Sequence, residues 1–114
     1  MTPKLSDCFD QAAAYIEEHG WTKGTMKSPD GSVCLVGALY EVCPTEFRKS
    51  KNYHYDRWES KKALTNIFKS ELSNVKRFGC PSGYAVLWND RQESGTVVIA
   101  KAREIAIKLR SKGE

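Results

Sequence analysis

The chain has 114 residues, of which 40% are hydrophobic and 28% charged, and this fits one globular domain spanning 1–114. The formal net charge of +4 is mildly basic, short of the dense basic stripe that is typical of a dedicated nucleic-acid binder. No apolar run approaches the roughly 20 residues of a membrane span, and residues 1–9 lack the apolar core of a secretory signal. We therefore expect a cytoplasmic protein without membrane contact.

The four cysteines carry no C-x-x-C spacing, and the chain has only two histidines. A structural zinc site needs four ligands, usually in short paired spacings, so the sequence predicts no metal and no cofactor. For an intracellular protein the even cysteine count does not indicate a disulfide framework. We expect four reduced thiols, most of them buried as small apolar side chains. They are Cys8, Cys34, Cys43 and Cys80.

Helical periodicity is clearest at the two ends of the chain. Residues 3–18 place apolar side chains on one helical face, and Gly20 follows as a stop. Residues 97–110 predict the last helix, with a second apolar face. The first stripe consists of Leu5, Cys8, Phe9, Ala12, Ala13 and Ile16. The second consists of Val98, Ala102, Ile105, Ala106 and Leu109.

The middle of the chain is harder to assign. Residues 33–43 are apolar nearly all round, which fits a buried helix or strand, and their length favours a short central helix ended by Pro44. Residues 45–55 predict a loop, and Asp56 with Glu59 resembles a capping box that opens a helix to about Ser73. Residues 84–88 fit a strand or an extra helical turn. The fold class is thus mainly α, a compact four-helix single domain with that one ambiguous segment.

Cys34 is the one candidate for a catalytic residue. In the first turn of the central helix its thiol would be activated by backbone N–H groups and the helix dipole. His54 is its candidate base, with His19 as an alternative. A buried structural thiol is the other interpretation, since free cysteine is among the most buried residue types.

Two short motifs predict binding residues. In Trp88-Asn89-Asp90 the indole would stack on a ligand and the two polar side chains would hydrogen-bond it, although both could instead turn the backbone. Trp21, Thr22 and Lys23 precede Gly24 and could line a pocket for a small anion or nucleotide. The alternative is a Trp that packs on the core and needs a partner for its N–H.

A third candidate is the basic and aromatic stretch 48–62. Interleaved aromatic and basic side chains are typical of base-stacking surfaces, and also of protein interfaces. Its candidate binding residues are Tyr53, Tyr55, Arg57 and Trp58, beside His54 and the basic residues Arg48, Lys49 and Lys51.

Three motifs in this order resemble those of a small domain of unknown function from bacteria, notably actinobacteria, and their phages. They are Trp21-Thr22-x-Gly24, then Gly31-x-x-Cys34-x-x-Gly37-Ala38-Leu39, then Trp88-Asn89-Asp90 before a terminal amphipathic helix. The resemblance covers most of the chain and brings no activity with it. It implies a bacterial cytoplasm, or the host cytoplasm for a phage-encoded protein. It singles out Trp21, Thr22, Gly24, Cys34, Gly37, Trp88, Asn89 and Asp90.

The sequence favours a non-enzymatic binding protein that contacts a host or defence protein or holds a small anionic ligand. One alternative is a cysteine-dependent enzyme that uses Cys34. The other is a nucleic-acid-binding protein that uses the stretch 48–62.

Overall fold

The computed structural model describes residues 4–49, 58–72 and 83–114. In chain order these ranges contain α1 (Leu5–His19), α2 (Leu35–Val42), a short 3-10 helix (Pro44–Glu46), β1 (Phe47–Lys49), β2 (Trp58–Ser60), α3 (Lys62–Glu71), α4 (Gly83–Asp90) and α5 (Gly95–Ser111). The mainly helical class is confirmed. No helix in these ranges has both the length and the apolar character needed to cross a membrane.

The packing of α1 against α5 forms the centre of the core. Both predicted stripes are buried except for Leu5, which is partly buried, and Phe9 and Ile105 are fully inaccessible to solvent. Small residues lie on the facing sides of the two helices. Among them are Ala12 and Ala13 on α1 and Ala102 on α5, which are all fully buried. At the exposed edge ion pairs join Arg103 to Glu17 and Arg110 to Asp7. Exposed pairs of this kind contribute little to stability, so apolar burial holds the two helices together.

The apolar segment after Val33 is the predicted central helix, α2. It packs against α1 and α4, and Leu35 and Leu39 are fully buried. Cys34 is its N-cap residue and Cys43 its C-cap residue, directly before Pro44. Its length of eight residues explains why the hydrophobic period alone does not separate helix from strand.

The prediction for the residues that follow Pro44 is wrong at two points. Residues 47–49 form β1 rather than loop, and Glu59 lies in β2 rather than in the first turn of a helix. β1 and β2 pair antiparallel, with Arg48 opposite Glu59 and Lys49 opposite Trp58. The backbone pairing and the ion pair of Arg48 with Glu59 replace the expected capping box, and α3 starts only at Lys62. Asp56 lies outside the described residues.

The ambiguous segment 84–88 belongs to α4 and is helical, which makes five α-helices in the described ranges instead of four. Ala85 and Asn89 are fully buried, four positions apart on one helical face. Burial of two positions four apart fits one face of a helix. In a strand, position 87 would lie on the same face as 85 and 89.

Two of the cysteines are not the reduced thiols that the sequence predicts. Cys8 in α1 and Cys43 after α2 form a disulfide, with Cα atoms 5.9 Å apart. Both residues are buried, so the packing of α1 on α2 brings the sulfur atoms together. Cys34 is a free, buried cysteine, and Cys80 lies outside the described residues.

Candidate functional site

Asn89 lies at the point where the three sequence motifs meet. Its side chain is fully buried near the end of α4. Its Oδ1 accepts hydrogen bonds from Trp21 Nε1 at 2.8 Å and from the backbone N–H of Leu35 at 3.0 Å. Its Nδ2 donates to the carbonyl oxygen of Thr22 at 3.2 Å. One amide therefore joins α4, the segment after α1 and the first turn of α2.

Asp90 extends this group to the neighbouring loop. Its Oδ1 accepts from the backbone N–H of Gly24 at 3.0 Å and from Asn89 Nδ2 at 3.4 Å. Gly24 has a φ of +84°, a conformation that glycine adopts without strain. Lys23, the residue before it, is exposed. We call this group the Asn89 cluster. It consists of Trp21, Thr22, Gly24, Leu35, Asn89 and Asp90.

Backbone pairing at Val33 holds the segment 20–34 against the helices. The N–H of Val33 donates to Gly20 and its carbonyl accepts from Thr22, both at 3.0 Å. The N–H of Cys34 donates to the carbonyl of Met26 at 3.2 Å. These bonds bring Trp21 and Thr22 beside the start of α2, where Asn89 reaches them.

Two glycines permit the close contacts of this segment. A Cβ atom on Gly37 would lie 2.1 Å from the carbonyl oxygen of Met26, and one on Gly95 would lie 2.6 Å from Cβ of Trp21. Gly37 thus accommodates the backbone of the loop at Met26. The motif glycine of α2 is explained by this contact.

Cys34 acts as the N-cap of α2. Its sulfur accepts a hydrogen bond from the N–H of Gly37 at 3.3 Å, and only 2% of the residue is exposed. Burial raises the pKa of the Cys34 thiol, while the hydrogen bond from Gly37 acts in the opposite direction. The thiol is therefore neutral near pH 7, which disfavours a nucleophile. The candidate base His54 lies outside the described residues, and His19 stacks on Tyr15 with ring centroids 4.1 Å apart.

The basic and aromatic stretch is only partly described. The predicted binding residues Tyr53, Tyr55 and Arg57 lie outside the described residues, and Trp58 is described only as a backbone position in β2. In the middle residue pair of the two strands, Arg48 Nε contacts Glu59 Oε1 at 2.9 Å. Glu59 is 7% exposed, whereas the side chain of Arg48 is 63% exposed.

Trp88 lies apart from the Asn89 cluster, although it precedes Asn89 in the chain. It lines a cleft of about 670 Å³ between the end of α3 and the first half of α5. No motif of the sequence indicates this cleft. Its one visible signal is the charged pair Lys101 and Glu104 of α5, which are three positions apart on one helical face.

Comparison with known proteins identifies the family to which the chain belongs. The model of a family of unknown function, DUF6197, matches residues 1–108, so the chain belongs to that family. No curated protein and no solved structure matches it. The membership agrees with the resemblance to a domain of unknown function, and it assigns no ligand or reaction.

Proposed function

We propose that this member of a family of unknown function is a non-enzymatic binding protein of bacterial or phage origin. In this proposal residues 47–60, the β1–β2 segment, contact an acidic surface of a partner protein. Tyr55 and Trp58 are the aromatic anchors, and Lys51 and Arg57 supply charge.

The distribution of charge carries this proposal. The stretch 48–62, which is this segment from Arg48 onward together with Lys61 and Lys62, holds six basic and two acidic residues, a net charge of +4, which equals the net charge of the whole chain. In the rest of the chain, basic and acidic residues are equal in number. A protein whose entire excess charge lies in one short stretch attracts an acidic partner to that stretch, because complementary potentials steer association.

The described ends of this segment are fixed to the core. Phe47 is 5% exposed and its ring packs edge-on against Tyr40 at 5.4 Å. The Ser60 and Thr65 hydroxyl groups lie 2.6 Å apart and are buried, and the N–H of Lys61 donates to the carbonyl of Glu46 at 2.9 Å. Anchored ends reduce the entropy that the segment loses when it binds, which favours a specific contact.

The residue types favour a protein over a nucleic acid as the partner. Arg48 is already paired with Glu59, and Asp56 adds a second negative charge that would repel phosphates. Tyr, Trp and Arg are the residues most enriched at the centres of protein interfaces. The Asn89 cluster supports a structural role for the other motifs, since its polar atoms bond to one another.

The test is cross-linking mass spectrometry in cells that produce the protein naturally, followed by affinity measurement with the purified partner. We expect Tyr55→Ala, Trp58→Ala to weaken binding at least about tenfold, which is the usual size of a hot-spot effect. Lys51→Glu with Arg57→Glu should weaken it too. The matched control is Lys4→Glu with Arg91→Glu, two exposed residues elsewhere, with the same charge change.

Two results would contradict the proposal. One is a partner that binds the Tyr55→Ala, Trp58→Ala protein as tightly as the wild type while circular dichroism shows both to be folded. The other is tight binding of random-sequence RNA or DNA whose affinity falls steeply with salt, since that would identify a phosphate-binding surface.

A further inference from the structure

The cleft beside Trp88 has the size and lining of a small-molecule site. Its volume of about 670 Å³ is within the range of roughly 300–1,000 Å³ that is usual for ligand pockets. Leu72, Val97 and Ala100 form an apolar part of the wall, and Val97 is 46% exposed although it is a large apolar residue. An exposed apolar wall beside a half-buried Trp side chain favours a ligand with a flat apolar face.

The two neighbouring motif tryptophans differ in what their N–H groups do. Trp21 donates its N–H to Asn89. Trp88 makes no such bond to any residue in the described ranges. With no partner for this N–H among the described residues, Trp88 offers its ring for stacking and its N–H as a donor to a molecule in the cleft.

The charged side chains that line the cleft, Glu71, Lys101 and Glu104, all form ion pairs, two of them with Lys108, which lies outside the lining. Lys101 contacts Glu104 at 3.3 Å, while Lys108 contacts Glu71 at 2.9 Å and Glu104 at 3.5 Å. Two lysines and two glutamates therefore neutralise each other. A ligand with a net charge would have to compete with these pairs, so the rim favours an uncharged ligand.

Polar groups at the same wall add hydrogen-bonding capacity. Gln92 donates from Nε2 to the carbonyl oxygen of Trp88 at 2.7 Å, which orients its amide and leaves Oε1 as an acceptor. Thr96, at the start of α5, also lines the cleft and is exposed. Donors and acceptors around a flat apolar wall match a heterocycle that carries both kinds of group on its edge.

We propose that the cleft between α3 and α5 binds an uncharged planar heterocycle of the nucleobase or nucleoside class, with its ring stacked on Trp88. This site is separate from the β1–β2 segment and does not depend on the partner proposed for that segment.

The experiment follows the indole N–H signals of Trp21, Trp58 and Trp88 in nitrogen-15 spectra of the full chain. Substitution Trp88→Phe assigns the signal of Trp88. Adenosine, guanosine, cytidine and uridine are added one at a time at millimolar concentrations. With at least one of them we expect the Trp88 signal to shift in a saturable way while the Trp21 signal stays in place.

Two matched variants locate the binding. Ala100→Phe places a large side chain in the cleft, and Ala14→Phe places the same side chain on an exposed position of α1. We expect Ala100→Phe to abolish the shift and Ala14→Phe to preserve it. Trp88→Ala lacks the signal that is followed, so its affinity is measured by titration calorimetry beside the wild type; it should be weaker by roughly tenfold or more, as expected for the loss of one stacking contact.

Three results would overturn the proposal. The first is the absence of any Trp88 shift with all four nucleosides in folded protein. The second is binding that survives in Ala100→Phe, which would place the ligand elsewhere. The third is adenosine 5′-phosphate binding more tightly than adenosine, since that would indicate an anion site instead of a neutral one.

Discussion

The Asn89 cluster and the β1–β2 segment use polar and aromatic residues in opposite ways. In the cluster, Asn89 and Trp21 bond to each other, and Asn89 is fully buried. In the segment, Phe47 and Ser60 at the two ends are buried, and the sequence between them is basic and aromatic.

The bonds of Asn89 show that the hydrogen-bonding residues of a motif can be used within the fold. An Asn that makes four hydrogen bonds within the protein has little capacity left for a ligand. In the β1–β2 segment, by contrast, we propose that the residues between the fixed strand ends contact a partner. Substitutions should therefore separate stability from binding.

The largest loss of stability is expected for Asn89→Ala. It leaves the N–H groups of Trp21 and Leu35 without an acceptor in a buried place, which should lower the free energy of unfolding by about 3 kcal/mol. Urea denaturation measures it, with Asn66→Ala on the exposed face of α3 as the control. Equal losses in both variants would show that Asn89 has no special role.

A smaller loss is expected for Gly37→Ala. Helix propensity alone favours alanine by about 1 kcal/mol, whereas the contact of the new Cβ with the Met26 carbonyl opposes it by up to about 3 kcal/mol. The net result should be a loss of about 2 kcal/mol in urea denaturation. A stabilised variant would mean that the loop moves away from α2 without cost.

Cys34 should make the free energy of unfolding depend on pH in the alkaline range. The pKa of its thiol is raised in the folded state, so above about pH 9 the unfolded chain releases this proton first and the free energy of unfolding declines. Cys34→Ser retains an N-cap oxygen and should show a shallower decline between about pH 8 and about pH 10. Identical pH profiles for the two proteins would contradict the raised pKa.

The same burial predicts slow labelling of Cys34. Iodoacetamide should modify this thiol in the folded protein far more slowly than in urea, because only 2% of the residue is exposed. Fast labelling at mildly acidic pH would revive the cysteine-dependent enzyme as a function.

The smallest effect on stability is expected in the β1–β2 segment. If Tyr55 and Trp58 serve a partner, replacing both by alanine should change the free energy of unfolding by less than about 0.5 kcal/mol, as for ordinary surface substitutions. A loss comparable to that of Asn89→Ala would assign these rings to the core and remove the contrast between the two regions.

The sequence predicts the fold best where a period is long enough to read. The stripes of α1 and α5 repeat over 15 and 17 residues, and both are buried as expected. β1 and β2 have three residues each, with Arg48 and Lys49 in one of them, so no alternation could be recognised. The disulfide joins cysteines 35 positions apart, and only the packing of α1 on α2 determines that pairing.

For the candidate site, the sequence identifies residue types but not their partners. It predicts that the N–H of Trp21 needs an acceptor, and the acceptor, Asn89, lies 68 positions further along the chain. The cleft at Trp88 depends on how α3 and α5 are placed, which no local pattern encodes.

The contact between α1 and α5 also determines when the chain can fold during synthesis. Arg103 pairs with Glu17 across 86 positions, and Arg110 pairs with Asp7 across 103. The ribosome adds about 5–20 residues per second, so α1 waits for seconds before α5 emerges. Its apolar face has no α5 to cover it during that time. The protein therefore completes the α1–α5 core only after α5 has left the ribosome.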